Sequence, residues 1–548
     1  MQAIHFRNGQ ILNVFTQEFE KKDFYVKNGK ISYVGPQKEF EAEQSIDLQG
    51  KTVVPGFIDA HLHIESSLLT PSEFGRLSLT KGVTSVFADP HEIASVDGKK
   101  GINYMLEAAK LTPLNIYYML PSSVPATPFE HAGAVLKAPD LKEYYKNDQV
   151  MGLAEVMDFP AVAKGDADLI QKIKDVQTAG KHADGHGAGL SREDLAIYRQ
   201  YGIDTDHEAT TKQEALDRIS MGMTVFVREG TVERDEVNLL PAITASNSSH
   251  FAFATDDKTA DDIEREGSID YNIKLAIQNG MQPAMAYTLA SYNGAQAHGL
   301  KNVGAIAEGY AADLVILDEP ESVKINQVMV AGEFIEGQSY RSLPFDDGQM
   351  NFTFEQKDLD LPLDADKPAH IIEVMPHHIT TEHRIEKVPV VEGRFQPNDN
   401  YAKIAVIERY RDLGHGLGII KGLNIQKGAI ASSVAHDSHN IVVAGQNDHD
   451  MYLAVETIRK LGGGQVFVKD GQVSALPLAV AGLMAEAPYE EVIEQHQHLL
   501  KAFKQVSKID FDPFLTLSFM ALPVIPSLKI TDQGLFDFDQ FKFITIQD

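Results

Sequence analysis

The chain has 548 residues, 43% apolar and 23% charged, so it reads as an ordered globular protein too long for one core, with two or three domains expected. Its 78 Asp and Glu against 49 Lys and Arg give a net charge of −29, which repels a phosphate backbone and speaks against a nucleic-acid partner. With no cysteine, disulfides, thiolate nucleophiles and cysteine-ligated zinc are excluded together, and any metal must sit on histidine and carboxylate.

The N-terminal MQAIHFRNGQ lacks a basic segment followed by an apolar core. The apolar run from Leu476 to Met484 is too short to span a bilayer, so a cytoplasmic location without a membrane partner is expected. Residues 1–54 read as short strands punctuated by Gly and Pro, and a matching β-rich patch, GAIAEGYAADLVILD followed by VMVAGEFI, spans 305–345. One small β-sandwich built from both flanks is the expectation.

Between them, in residues 55–304, eight strand-like runs occur: FIDAHLHI, TSVFADP, NIYYMLP, MGLAEVM, KHADGHG, GIDTDHE, MTVFVRE and HFAFATDD. Amphipathic helical stretches such as ADLIQKIKDVQTAG and REDLAIYRQYG follow most of them and end near a Gly. This alternation predicts a TIM-type (β/α)8 barrel. Residues 346–548 form a further α+β domain, in which LGGGQVFVKDG lacks the lysine and serine of a phosphate loop and reads as a turn.

His61 and His63 stand at i and i+2, which on a strand places both imidazoles on one face, close enough to share a metal. Chance alone gives about 0.7 such pairs among 20 histidines, so the spacing is weak by itself. His496 and His498 repeat it inside EEVIEQHQHLLKAFKQ, a helical pattern that sends the two rings to nearly opposite sides, and these read as solvated helix surface. The first pair gains weight because further candidates end later strands: Asp89 and His91, Glu155, His186 or His182, His207, and Asp256. That is the face on which barrel enzymes place their chemistry.

Four histidines and two carboxylates exceed what one tetrahedral ion needs, so two divalent metals are expected, with Glu155 bridging them and a hydroxide between them as nucleophile. Asp256, both a ligand and a neighbour of that hydroxide, is expected to pass its proton to substrate. Histidine and carboxylate together accept manganese, iron or zinc.

The runs VPGFIDAHLHIESS, FADPHEIA, GLAEVMDF, GHGAGL, TDHEA, FVREG, FATDD and GAIAEGYAADLVIL, with IASSVAHDSHNIVVAG in the third region, resemble the amidohydrolase superfamily and, within it, the bacterial adenine deaminases. IESS, ADPHEIA and SVAHDSHN are the specific motifs, and the similarity covers essentially the whole chain. The resemblance implies deamination of adenine to hypoxanthine and ammonia in purine salvage, on a manganese or iron centre. It implies that His61, His63, His186, His207 and Asp256 are ligands and that Glu155 replaces the bridging modified lysine of other superfamily members. The Cys-x-x-Cys nucleobase deaminases are excluded by the lack of cysteine.

Arg228 and Glu229 end strand seven, where they touch the purine or form a surface salt bridge. His91 and Glu92 face the second metal or brace their loop. His436, Asp437 and His439 either help close the pocket, with His439 on the substrate, or form a turn internal to their own domain. Competing functions are another two-metal reaction, on a cyclic amide or an N-acyl substrate, and a non-catalytic scaffold that kept the fold. A homo-oligomer is the default expectation.

Overall fold

Each of the eight apolar runs folds into a strand. The computed structural model describes residues 3–36, 42–336, 340–345, 350–376 and 378–547. Strands β1 (Phe57–Leu62), β2 (Val83–Ala88), β3 (Asn115–Leu120), β4 (Val150–Val156) and β5 (His182–Gly185) lie side by side and parallel. Strands β6 (Thr205–Asp206), β7 (Thr224–Arg228) and β8 (Phe251–Ala254) make a second parallel arc. Parallel bridges Leu62–Asp256 and Ala183–Ile203 join the arcs at both seams, closing the barrel.

Every residue of β1, β2 and β8 is buried, as expected of parallel strands with a filled interior and helices outside. The outer helices bury one stripe each. In Ala167–Thr178 the buried residues Leu169, Lys172, Ile173 and Val176 recur at i, i+3, i+4 and i+7. Ser191 and Thr211 open the next two helices with capping boxes.

The two β-rich flanks meet. Thr52–Pro55 pairs antiparallel with Leu314–Glu319, and strands from both flanks form one six-stranded sheet. Phe6, Ile11, Phe24, Val53, Leu314 and Ile316 pack between it and a four-stranded partner sheet. The third region is built on an eight-stranded sheet with helix Asp448–Leu461 against it, and a separate three-stranded sheet ends the chain. The Gly-rich run forms the end of that helix at Gly462 and the following strand Gly464–Lys469.

The boundary expected after residue 345 meets residues 346–349, which lie outside the described residues, as do Met1 and Gln2 of the N-terminal run. Among the described residues no helix is long and apolar enough to cross a membrane.

The histidine pair at 496 and 498 does lie on a helix, Tyr489–Phe503, but only half of it is solvated. His498 is exposed, whereas His496 is buried with Nε2 3.4 Å from Asp512 Oδ2. The amphipathic stripe places position 496 with Val492, Ile493 and Leu499 on the inner face, so a buried ion pair replaces the expected surface site.

Candidate metal centre

The C-terminal ends of β1, β4, β5, β6 and β8 converge on one buried cluster. The end of β1 is tied to β8 through Asp59, whose carboxylate accepts the Thr255 N–H at 3.1 Å and the Thr255 hydroxyl at 2.5 Å. This brace fixes the strand from which His61 and His63 project. His61 Nε2 lies 3.6 Å and His63 Nε2 3.3 Å from Asp256 Oδ1. Asp256 holds a left-handed backbone, φ 54°, with its N–H donating to the His61 carbonyl at 3.0 Å. Such a conformation is uncommon for a non-glycine residue and persists where the surroundings enforce it.

Glu155 sits at the centre with its oxygens divided. Oε1 lies 3.6 Å from His63 Nε2 and 3.5 Å from His91 Nδ1. Oε2 lies 2.8 Å from His186 Nδ1 and 3.1 Å from His207 Nε2. The His61 and His207 rings stack with centroids 4.0 Å apart. Burial pushes the Glu155 carboxyl up, but the hydrogen bonds and charges of His186 and His207 outweigh it and hold the group well below the usual range. Asp256 is likewise pushed up by burial and pulled well below its ordinary value by His61 and His63.

The donor set fits two divalent cations. His61 Nε2 is buried without a hydrogen-bond partner, a carboxylate with one oxygen toward each histidine group suits a bridge, and a second carboxylate stands beside His61 and His63.

Of the two candidates on β5, only His186 reaches this cluster. His182 begins the strand and lies below the cluster, with Nε2 3.0 Å from His298 Nδ1, whose Nε2 in turn meets the Ala60 carbonyl at 2.8 Å. His91 stands at the edge: its Nδ1 lies 2.9 Å from Asp89 Oδ2, and its Nε2 turns toward Glu92 and Asp437.

Above the cluster is a cavity. Arg228 lines it as a buried group, with Nη1 2.8 Å from Asp256 Oδ2 and contacts to Glu208 and Asp235. Glu229 does not reach it. Its carboxylate accepts the Glu236 N–H at 3.3 Å instead, because neighbours along an extended chain point to opposite sides. His439 does not line the cavity either; it lies fully buried behind Glu92. The loop that carries it is nevertheless seated on the barrel, with His436 Nδ1 2.7 Å from Glu92 Oε1, and His436 and Asp437 line the cavity.

Sequence reasoning missed Glu208, Glu233 and Asp257 on the walls and the apolar roof of Ile379, Phe519, Leu522, Val524 and Ile525. Glu208 and Asp257 each follow a candidate ligand directly, in TDHEA and FATDD, which was the available signal. Glu233 is buried with Oε2 unpartnered; burial and the neighbouring Asp257 carboxylate push it up to about 8. Nothing in the local pattern marks the roof.

Residues 52–335 match the Amidohydrolase family, and residues 378–542 match the Adenine deaminase C-terminal domain. An adenine deaminase of Leuconostoc mesenteroides subsp. mesenteroides is 58% identical over 544 residues, covering 99% of both chains. One of Leuconostoc citreum is 59% identical with the same coverage, and adenine deaminase 1 of Oenococcus oeni is 56% identical over 99% of both chains. The barrel, the strand-end donors and the matched C-terminal region agree: this chain belongs to the adenine deaminase family of the amidohydrolases.

Proposed function

We propose that this protein hydrolytically deaminates adenine to hypoxanthine and ammonia, using His61, His63, His186, His207, Glu155 and Asp256 to hold two divalent cations. The observation that carries the reading is the division of the Glu155 oxygens between two histidine groups at the base of a cavity. Bound there, manganese, or iron or zinc, would bring a water between the ions to a pKa near neutrality and make it nucleophilic.

The chain's own groups then serve the purine. Water oxygen adds to C6, the C6–N6 bond breaks, and protons must reach N1 and the departing nitrogen. Asp256, beside the attacking water, accepts its proton and hands it to the leaving nitrogen. Arg228, 2.8 Å from Asp256 Oδ2, orients that carboxylate and favours its ionised form. Glu233, raised to about 8, carries a proton at pH 7 and is suited to donate it to a ring nitrogen, and it regains one from the C6 hydroxyl as that group collapses to the carbonyl. Phe519, Leu522, Val524 and Ile525 offer apolar contact to the flat faces of the base and exclude bulk water.

In this reading residues 1–54 with 305–345 form the small β domain, 55–304 the catalytic barrel and 346–548 the C-terminal domain that supplies the roof. A cytoplasmic homo-oligomer acting in purine salvage without membrane or nucleic-acid partners completes it, and the net charge of −29 supports the last point. Incubation of the manganese-loaded protein with adenine tests the function: one hypoxanthine and one ammonia are expected per adenine lost. Unchanged adenine together with turnover of a cyclic amide or an N-acyl substrate would overturn it.

A further inference from the structure

A second group of donors lies beside the metal cluster, where the barrel meets the C-terminal region. It comprises His91 and Glu92, which open the helix His91–Ala108, and His436 and Asp437 from the third region. All four are buried. His91 Nε2 lies 3.4 Å from Glu92 Oε1 and 3.6 Å from Asp437 Oδ1. His436 Nδ1 lies 2.7 Å from Glu92 Oε1 and 4.0 Å from Asp437 Oδ1. Donors about 2.0–2.2 Å from one ion in a tetrahedron stand about 3.3–3.6 Å apart, so the two His91 contacts already match, the His436–Glu92 pair must open by about 0.6 Å or slightly more, and the His436–Asp437 pair must close by about 0.4 Å.

The hydrogen bonds around the group set the state of each donor. His91 Nδ1, 2.9 Å from the Asp89 carboxylate, must be the protonated nitrogen, because an ionised carboxylate only accepts. In the neutral ring that a metal would bind, Nε2 is then the lone pair, and this atom is buried in a residue 4% exposed with no hydrogen-bond partner. A carboxylate behind a histidine is the usual support of a metal ligand. His439 supplies a similar brace on the other side. Its Nδ1 accepts the Ala435 N–H at 3.2 Å, so its Nε2 carries the proton and stands in close ion-pair contact with Glu92 Oε2. That leaves Glu92 Oε1 free to face His91 and His436. A divalent cation would take the place of ring protons as the counter-charge to the two buried carboxylates.

We propose that His91 Nε2, Glu92 Oε1, His436 Nδ1 and Asp437 Oδ1 bind a third divalent transition-metal ion, distinct from the pair around Glu155. This ion fastens the 436–437 loop to the barrel and leaves the unpartnered His436 Nε2, on a ring that lines the cavity, as an N–H donor. The site goes beyond the proposed deaminase reaction and stands whether or not adenine is the substrate.

The test uses manganese alone. Crystals of the full chain loaded with Mn2+ and measured at the manganese edge are expected to show three anomalous peaks, one within about 2.3 Å of His91 Nε2. Metal analysis after gel filtration should give three ions per chain, falling to two in Asp437→Asn and in His436→Gln. Two peaks at the Glu155 cluster with none at His91 Nε2 would overturn the third site while leaving the two-metal reading intact. Absence of the Glu155 pair with a peak at His91 Nε2 would do the reverse. The diffraction measurement needs only the unaltered protein, so it decides between these outcomes even where a variant folds poorly.

Discussion

The mouth of the barrel and the roof above it face the same cavity but are assembled differently. The mouth takes its donors from the ends of β1, β4, β5, β6 and β8, so barrel closure brings them together. The roof takes Ile379 and the residues from Phe519 to Ile525 from segments about 140 residues apart in sequence, held by packing. One buried lysine links them: Lys529 donates to the Ile379 carbonyl at 2.7 Å and the Phe519 carbonyl at 3.0 Å. The contrast teaches that the mouth encodes chemistry through fixed donors, whereas the roof encodes fit and dryness through apolar surface that tolerates change.

If that contrast holds, substitutions at the mouth should strike kcat and those at the roof KM. The largest effect is expected for Glu155→Gln, which removes the central charge with little change in volume and should lower kcat by about 10³-fold or more in a protein whose circular dichroism is unchanged. Near-normal turnover would show that the bridging position lies elsewhere.

Glu233→Gln is expected to lower kcat/KM by about 10²-fold at pH 7, the usual scale for one positioned acid. The sign follows from the raised value: with its carboxyl near 8, Glu233 is protonated below that pH and loses its proton as the pH rises through it. The unaltered enzyme should therefore lose kcat/KM on an alkaline limb near 8, and this limb should vanish in the variant. A limb that survives the substitution belongs to another group.

Phe519→Ala, at the roof, should raise KM by about 10-fold through lost apolar contact while changing kcat far less. A collapse of kcat at constant KM would break the proposed division between mouth and roof.

The smallest expected effects separate the two members of the helical histidine pair. His496→Ala removes the ionic partner of Asp512, whose carboxylate keeps the Phe514 and Leu515 N–H groups, and should cost about 2 kcal/mol in unfolding free energy, whereas His498→Ala should stay within about 0.5 kcal/mol. Equal melting shifts for the two variants would contradict the buried pairing.

The sequence alone determined the eight strands, the joining of the two β-rich flanks and the residues that end each strand, because alternating apolar and amphipathic runs follow from local backbone geometry. The pair His61 and His63 was legible for the same reason: a strand puts i and i+2 on one face. Direction beyond a strand end was not legible. Arg228 turns into the cavity while Glu229 turns out of it, and His186 reaches the cluster while His182, four residues earlier, pairs with His298 instead. Only the tertiary structure decided the roof, the burial of His496 against Asp512, and the meeting of His91 and Glu92 with His436 and Asp437. Each of these depends on contacts between segments far apart in the chain, which packing sets and no local periodicity records.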